Sequence, residues 1–506
     1  MMLHAIPWLE LSLVIPLLGA VAISRLHEAH RARQWACGTC GISLICAQLA
    51  WFGSTTPTDI AASLTRPGSF SLFAGREIFE LDDFSAPLLP LAALIYFVTL
   101  LVTLRTKMRR FSFTGALLSL TITLATIACR DDWGIIGLLA AGTVLPFLEL
   151  RSRKQPTRVF VLHMGLCIGL LALGQYLSDR EPADQVHSLW AMLPLLAGVL
   201  IRCGIVPVHT WLTDLFDRAT FGTALLFVTP LLGAYAAVRL VIPHAPEWVF
   251  RSMGMVSLVT AVYAAGMAMV QVEARRYFCF LFLSHASLVL VGLETVNEIG
   301  LTGALCVWFS VGLGLTGFGL TLRALESRHG PIRFDEFQGL YDHMPTLAVY
   351  YVLTGLACVG FPGTLGFIGT ELLIDGAVQK YPLTGIAVVI AAALNGIAII
   401  KTYFVLFTGT RHRSSIPLGS RERERAAVLL MAALIVLGGI FPQPGVVSRY
   451  RVALRIMEER VQSAGDKPLP DDEQEEHTSW LRSHPAAKSQ NQPDAQARAV
   501  AQDSHR

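Results

Sequence analysis

The sequence has few charged residues and lacks the common nucleotide and metal motifs. Only 15% of its 506 residues are charged and 53% are hydrophobic, whereas about a quarter of a soluble globular protein is charged. It contains no Walker loop, no glycine fingerprint after a strand and no HExxH motif. We therefore expect no nucleotide, no redox cofactor and no metal in this chain. A net charge of +3 is too small to indicate nucleic-acid binding.

The cysteine pattern does not predict a metal or redox site either. All nine cysteines lie in apolar runs, with Cys129 at the edge of one. Cys37 and Cys40 form CGTC, which has redox or zinc spacing, but no second pair accompanies them and a structural zinc needs four ligands. We interpret them as structural residues of a hydrophobic helix.

Long apolar runs predict an all-α integral membrane protein. The first run, IPWLELSLVIPLLGAVAIS, has no basic segment before it and is long enough to span, so we expect a membrane helix and not a cleaved signal. Counting about 20 apolar residues per span predicts about fourteen transmembrane helices. They are expected at 5–24, 35–53, 84–104, 112–129, 132–150, 158–177, 187–207, 222–242, 252–271, 277–295, 299–322, 345–369, 384–408 and 426–443.

Loop charges predict the orientation in the membrane. Basic residues concentrate in alternate loops such as RTKMRR, RSRKQPTR and RHRSSIPLGSRERER, while the opposite loops include RDD and SDREPAD. The basic loops are therefore expected in the cytoplasm and both termini outside, in a multi-pass protein of the inner (plasma) membrane. The polar segment 444–506 is expected to be disordered, with one short amphipathic helix at RYRVALRIMEERV.

Two helix interruptions suggest an internal repeat. Arg202 lies in an apolar run that continues into GIVPVHTWLTDL, and this segment resembles GFPGTLGFIGTELL. Each has a glycine and a proline that interrupt a helix, followed by a carboxylate, Asp214 or Glu371. An offset of five helices would invert the second copy, as in many ion transporters, and interrupted helices at membrane depth require protein or water around them.

The prediction is thus two inverted five-helix repeats with discontinuous helices seven and twelve. Its segments are 1–111 for the first three helices, 112–242 and 252–408 for the two repeats, 409–443 for the last helix and 444–506 for the tail.

The motif at the first interruption is part of a resemblance, over about residues 80 to 443, to the antiporter-like membrane subunits of respiratory complex I, most closely subunit M. This superfamily also includes Mrp sodium/proton antiporter subunits, hydrogenase membrane arms and the membrane partner of a carbon-uptake complex. The family pattern P-x-H-x-W-L-P-D-A is matched by Pro207, His209, Trp211, Leu212 and Asp214, while Thr213 departs from it. Asp82 and Ser85 in ELDDFSAPL fit D-G-L-S, and His285 in FLSHASLVLVGLE fits S-H-x-G-F.

The resemblance implies a row of buried charged residues that conducts protons at mid-membrane. This protein retains only some of those residues. The family's helix-five glutamate falls on Ala141 and its helix-seven lysine on Arg202. The other expected charges fall on Leu231, Val311 and Thr370, with Glu371 directly after the last. Arginine stays protonated, so Arg202 is expected to act as a fixed charge and not as a relay. The candidate proton path consists of Arg202, His209, His285, Glu371, Asp375 and Lys401.

Other polar residues are interpreted as structural. His163 is expected to be a satisfied buried histidine, and Glu149 with Arg151 and Arg153 an interfacial ion cluster.

Three functions remain open at this point. The first is a non-redox, proton-translocating subunit of a complex I-like assembly. The second is a non-conducting membrane scaffold for a soluble partner, and the third is the membrane subunit of an inorganic-carbon uptake complex. All three imply the bilayer, other membrane subunits and a soluble cytoplasmic partner that contacts the basic loops.

Overall fold

The described part of the chain is almost entirely helical. The computed structural model describes residues 7–26, 28–55, 78–104, 108, 111–182, 186–409 and 422–463. The helices are α1 (Trp8–Ser24), α2 (Ala29–Thr55), α3 (Leu88–Val102), α4 (Phe113–Ala128), α5 (Asp132–Ser152), α6 (Arg158–Ser178), α7 (Leu189–Cys203), α8 (Thr210–Arg218), α9 (Phe221–Val228), α10 (Leu232–Ala236), α11 (Glu247–Val270), α12 (Ala274–Thr295), α13 (Glu298–His329), α14 (Pro345–Val359), α15 (Leu365–Lys380), α16 (Pro382–Phe407), α17 (Glu422–Ile440) and α18 (Gln443–Ser463). A π-helical turn, Ala237–Val241, continues α10.

The predicted class, an all-α integral membrane protein, is confirmed. Each of the predicted ranges contains helix in the structure. Within the described residues, 8 helices are long and apolar enough to cross a membrane, or up to 9 if a bent pair counts as one span. Several other helices are apolar but shorter, so the number of fourteen crossings remains a prediction.

The most buried helices come from the middle of the chain. Helices α12 and α13 are buried along nearly their whole apolar length, whereas α5 and α6 leave most of their surface exposed. Helix α13 is rich in glycine, and α15 approaches it closely: a Cβ atom at Gly303 would lie 2.4 Å from the Leu373 amide nitrogen. Small residues permit this close helix packing, which in membranes takes the place of the hydrophobic driving force.

The eighth span, expected at 222–242, corresponds to the apolar span Phe221–Val241, and the structure adds an interruption within it. In the structure α9 ends at Val228, and α10 begins at Leu232 after Leu231 adopts a left-handed conformation with φ of 54°. Pro230 lies at the interruption, and a proline lacks the amide that would continue the helix.

The amphipathic helix expected at RYRVALRIMEERV is present, and it is longer than that segment, so the residues directly around it in the tail are helical and not disordered. Helix α18 continues to Ser463 and is bent by 77° from α17. It packs because Val452, Ala453 and Ile456 form a buried stripe, and Arg449 donates to the Asp83 carbonyl at 2.8 Å. The rest of the tail, 464–506, lies outside the described residues.

The interruptions predicted in helices seven and twelve are present. The first lies between α7 and α8, at residues 204–209, and the second between α14 and α15, at residues 360–364. The relation of the two halves as inverted repeats remains a prediction.

Candidate polar sites at two interrupted helices

The first interruption is stabilised by hydrogen bonds to its exposed backbone. Gly204 ends α7 with φ of 75°, a conformation that glycine adopts without steric cost. The Trp211 indole nitrogen donates to the Ile201 carbonyl at 2.9 Å, and the Val206 amide donates to Thr260 Oγ1 at 3.1 Å. Backbone groups freed by the interruption are therefore satisfied by protein, as membrane depth requires.

Arg202 lies beside this interruption, and no carboxylate of the described residues pairs with it. Its side chain is buried, and its guanidinium lies 4.2 Å from the centre of the Phe227 ring. Nη2 donates to the Phe227 carbonyl at 3.3 Å, and Nε has no hydrogen-bond partner within the described ranges. Asp214, the carboxylate that follows the interruption in the sequence, pairs with Arg218 at 2.8 Å. Arg202 thus contacts an aromatic ring and a carbonyl. A cation–π contact of this kind can contribute about 2 kcal/mol when it is desolvated.

A small cavity adjoins Arg202. Its volume is about 20 Å³, and Leu231, Gly233 and Ala286 are among the residues that line it. This is roughly the space that one water molecule needs. Leu231, where the resemblance placed a lysine, contributes only an apolar side chain to the wall.

The second interruption is formed by two glycines. Gly360 and Gly363 have φ of 80° and 87°, and the Thr364 side chain caps α15 by accepting from the Phe367 amide. Beyond it, Gly369 faces α13 so closely that a Cβ atom there would lie 2.8 Å from the Val307 amide nitrogen. The glycines therefore end α14, Thr364 caps the start of α15, and Gly369 allows α15 to pack closely against α13.

His285 lies at the centre of the second site. It is buried, and its Nδ1 atom lies 2.8 Å from the Leu281 carbonyl on the same helix. A cavity of about 10 Å³ adjoins it and is lined by Ser310, Val311 and Thr370, among others. The hydroxyl-bearing residues Ser310 and Thr370 line this cavity with His285, whereas Val311, where the resemblance implied a charge, is apolar.

Glu371 and Asp375 do not share the cavity with His285. Both are exposed in this chain, on the side of α15 opposite the glycines that contact α13. Thr370, which precedes Glu371, lines the cavity instead. The structure thus places the two carboxylates on an outward surface one helical turn apart.

The two remaining candidates occupy separate positions. His209 is half-buried, with its ring 5.8 Å from that of Tyr263, and its Nδ1 atom has no partner within the described chain. Lys401 is exposed, and its Nζ donates to the Met269 carbonyl at 2.8 Å, near the end of α11. A cation at a helix C-terminus is a stabilising contact, and the structure does not bring Lys401 to either cavity.

The residues interpreted as structural have structural contacts. His163 lies within hydrogen-bonding distance of the Val159 carbonyl at 2.8 Å and of Thr210 Oγ1 at 3.2 Å. Glu149 accepts the Thr220 amide at 2.6 Å, at the start of α9, where a negative charge is favourable. Glu149 is thus chiefly a helix cap, with Arg153 at 4.0 Å.

One buried carboxylate was missed by the sequence analysis. Glu294 lies in the last turn of α12 and is buried against α11. The letters around it, VGLETVNE, look like the end of a span and a polar loop, so no sequence pattern marked it. Its distinctive feature is burial, which depends on the packing of α11.

The described residues contain no metal cluster. No group of three or more His, Cys, Asp or Glu side chains that could hold a metal occurs among them, and their cysteines, including Cys37 and Cys40, are free thiols.

The fold and these two sites define a polytopic, all-helical membrane protein with polar residues buried at two interrupted helices. Residues 161–395 match the family model described as NADH:quinone oxidoreductase/Mrp antiporter, transmembrane. This match, over somewhat less than half of the chain, agrees with the resemblance to antiporter-like membrane subunits that the motifs indicated.

Individual relatives agree with this resemblance. The chain is 27% identical over 268 residues to NADH-quinone oxidoreductase subunit M of Pseudomonas aeruginosa, an alignment that covers 51% of this chain and about half (52%) of that relative. It is 23% identical over 499 residues to NAD(P)H-quinone oxidoreductase chain 4 of a Synechococcus species, with 90% of each chain covered. A chain of respiratory complex I from Thermus thermophilus with bound NADH has the same fold, with a TM-score of 0.76, 21% identity, and 89% of this chain and 99% of that chain covered.

Proposed function

We propose that this chain is a proton-translocating membrane subunit of a complex I-like assembly in the plasma membrane. The observation that carries the proposal is the position of His285. This buried titratable residue of α12 lines a cavity beside the interruption between α14 and α15. Imidazole changes its charge near neutral pH and can therefore both accept and release a proton. Redox chemistry would belong to other subunits, because this chain has no cofactor motif.

The two halves would have different roles in conduction. Arg202 would supply a fixed positive charge in the first half, since guanidinium does not release its proton in proteins. Conduction would run through the second half, from His285 to Glu371 and Asp375. His209 and Lys401 would serve at the ends of the path.

The exposed carboxylates support the presence of a neighbouring membrane subunit. Glu371 follows Gly369, which contacts α13 at Val307, nine residues from the start of α13 at Glu298. At 1.5 Å per residue, Val307 lies about 14 Å below that end of the helix. A carboxylate at this depth is costly in lipid, by about 2.5–3.5 kcal/mol at mid-span. A second subunit that covers this surface would close the path and connect Glu371 to its own polar groups.

The test is proton flux in vesicles that contain the chain with its native partners. A pH-sensitive dye inside proteoliposomes should report flux that falls at least tenfold in Glu371→Gln and in His285→Gln, since positioned proton carriers contribute factors of this size or more. Glu336→Gln, an exposed loop carboxylate, is the matched control and should conduct normally. Flux that persists in both path variants would contradict the proposal.

A membrane scaffold is the second candidate, and specific observations favour it. Ala141, Leu231 and Val311 replace charges that the family resemblance implies, and the cavities of about 20 and 10 Å³ each hold about one water. A scaffold predicts that wild-type vesicles leak protons no faster than protein-free ones. The soluble partner that copurifies distinguishes further: a flavin and iron–sulfur arm indicates a respiratory complex, and a zinc protein indicates carbon uptake.

A further inference from the structure

Glu294 is a buried carboxylate for which the path described above has no role. Its side chain is 1% exposed, and Oε1 accepts a hydrogen bond from Arg251 Nη1 at 2.7 Å. The other oxygen, Oε2, is buried and has no hydrogen-bond partner among the residues that the structure describes. Leaving a buried polar atom unpaired usually costs about 1–3 kcal/mol, so such an atom calls for an explanation.

The opposing helix provides space for this carboxylate. A Cβ atom at Gly254 on α11 would lie 1.7 Å from Glu294 Oε2, closer than any real contact. Only glycine at position 254 therefore allows the carboxylate to occupy its place. The packing of α11 on α12 is built around Glu294.

A line of polar groups on α11 leads from Glu294 to the first interruption. Ser257 lies one turn further along α11 from Gly254, is buried, and its hydroxyl has no partner within the described residues. Thr260 lies one turn beyond Ser257 and accepts the Val206 amide at 3.1 Å. Successive positions three residues apart share one face of a helix and rise about 4.5 Å. Polar groups thus occur at each turn of α11 between the interruption and the carboxylate.

Charged and titratable groups on the other side connect Glu294 to the outer face. The Arg251 side chain is 40% exposed, and its guanidinium lies 4.0 Å from the centre of the Tyr381 ring. Lys380, at the end of α15, lies 3.7 Å from the exposed Glu247. At the start of α13, Glu298 accepts a hydrogen bond from Tyr450 of α18. Arg251 is the one of these groups that contacts Glu294 directly within the described chain.

We propose that Glu294 is a proton-carrying carboxyl at the outer end of the path, with Arg251 as its positioning residue. This inference rests on the proposed function. A hydronium on the α11 side breaks one of its O–H bonds and is left as water, its proton forms an O–H bond on Glu294 Oε2, and the Arg251 ion pair loosens. The O–H bond then breaks towards outer water, and the carboxylate pairs again with Arg251, which stays protonated throughout.

The test compares variants of the intact complex in the same vesicle assay. Glu294→Gln keeps the size and removes the titratable group, and we expect at least a tenfold loss of flux with an unchanged thermal midpoint. Glu294→Asp should recover part of the flux. Glu336→Gln, an exposed loop carboxylate outside this group, is the control and should conduct as the wild type does. Flux in Glu294→Gln equal to that of the wild type overturns the inference.

A second measurement separates this inference from the proposed function. In infrared difference spectra between acidic and alkaline pH, a protonated-carboxyl band should appear in the wild type, disappear in Glu294→Gln and shift in Glu294→Asp. If the wild type does not conduct, the proposed function fails, and the infrared band still decides whether Glu294 takes up a proton. A spectrum unchanged by Glu294→Gln overturns the inference on its own.

Discussion

Asp82 forms ion pairs that connect the segment before α3 to the π-helical turn Ala237–Val241. Its Oδ2 atom lies 2.8 Å from Arg239 Nη1 and 2.8 Å from Arg130 Nη1. Its Oδ1 atom accepts the Ser85 amide at 2.8 Å. Asp82→Asn keeps an oxygen for Ser85 and removes the charge that both guanidinium groups share, so we expect it to destabilise the fold.

The expected loss of unfolding free energy follows from the solvent exposure of the side chains in each ion pair. The Arg239 and Asp82 side chains are only 13% and 21% exposed. Removing one partner of a buried pair costs about 3–5 kcal/mol, because the other charge stays buried and uncompensated. Arg130 is 36% exposed and can turn to solvent, so its pair adds at most about 1 kcal/mol. We therefore expect Asp82→Asn to lower the free energy of unfolding by about 3 kcal/mol.

The pH dependence of this loss has a definite sign. Burial alone would raise the pKa of Asp82, but the charge and hydrogen bonds of Arg239 hold that pKa well below its usual range. A carboxyl whose pKa falls on folding stabilises the protein above its unfolded pKa of about 3.9 and ceases to do so as pH falls through the folded pKa. The difference between wild type and variant should therefore stay constant from about pH 7 to about pH 5 and shrink only in strong acid.

Thermal unfolding can be followed with a thiol-reactive fluorophore, because cysteines such as Cys167 and Cys279 are buried and become reactive when the helices separate. Asp83→Asn is the matched control, since Asp83 pairs with Arg455 and these side chains are 33% and 59% exposed. It should cost at most about 1 kcal/mol. Equal losses for the two variants, or a difference that narrows between about pH 7 and about pH 5, would refute the reasoning.

Two further pairs of variants test packing and hydrogen bonding by the same thermal assay. Gly254→Ala forces a methyl group onto the Glu294 carboxylate and should lower the free energy of unfolding by about 1–3 kcal/mol. Gly266→Ala on the same helix meets no atom within 4 Å and should leave stability unchanged. An unchanged stability in Gly254→Ala would show that α11 does not pack against Glu294. Trp211→Phe removes the 2.9 Å hydrogen bond to the Ile201 carbonyl and should exceed Trp308→Phe by about 1 kcal/mol, since the Trp308 indole nitrogen has no partner in the described chain. Equal costs for the two tryptophans would contradict the role given to that bond.

The sequence predicted helices and their interruptions well because local chemistry determines both. Apolar length specifies a span, and Gly204 with Pro207, or Gly360 with Pro362, specifies where a helix stops. Pro230 carries the same signal within the span expected at 222–242, and the structure has an interruption there. Such signals need no information about which helices are neighbours.

Side-chain partners could not be predicted in the same way. Arg202 and Asp214 flank the first interruption in the sequence, but Arg218 is one turn from Asp214 on the same helix and pairs with it. Glu371 lies close to the glycines of α15 in sequence, yet the glycines face α13 and turn Glu371 outward. The burial of Glu294 depends on a glycine forty residues earlier in the chain. These outcomes follow from tertiary packing, which a pattern of letters does not contain.

The outward position of Glu371 and Asp375 affects the stability of a copy that is inserted in the membrane but not yet assembled with a neighbouring subunit. A newly inserted copy would present both carboxylates to acyl chains or to headgroups until a neighbour arrives. For Glu371 the cost approaches about 2.5–3.5 kcal/mol, a large part of the stability of a typical domain. We expect orphan copies to be short-lived, so that cellular abundance follows the supply of the neighbouring subunit.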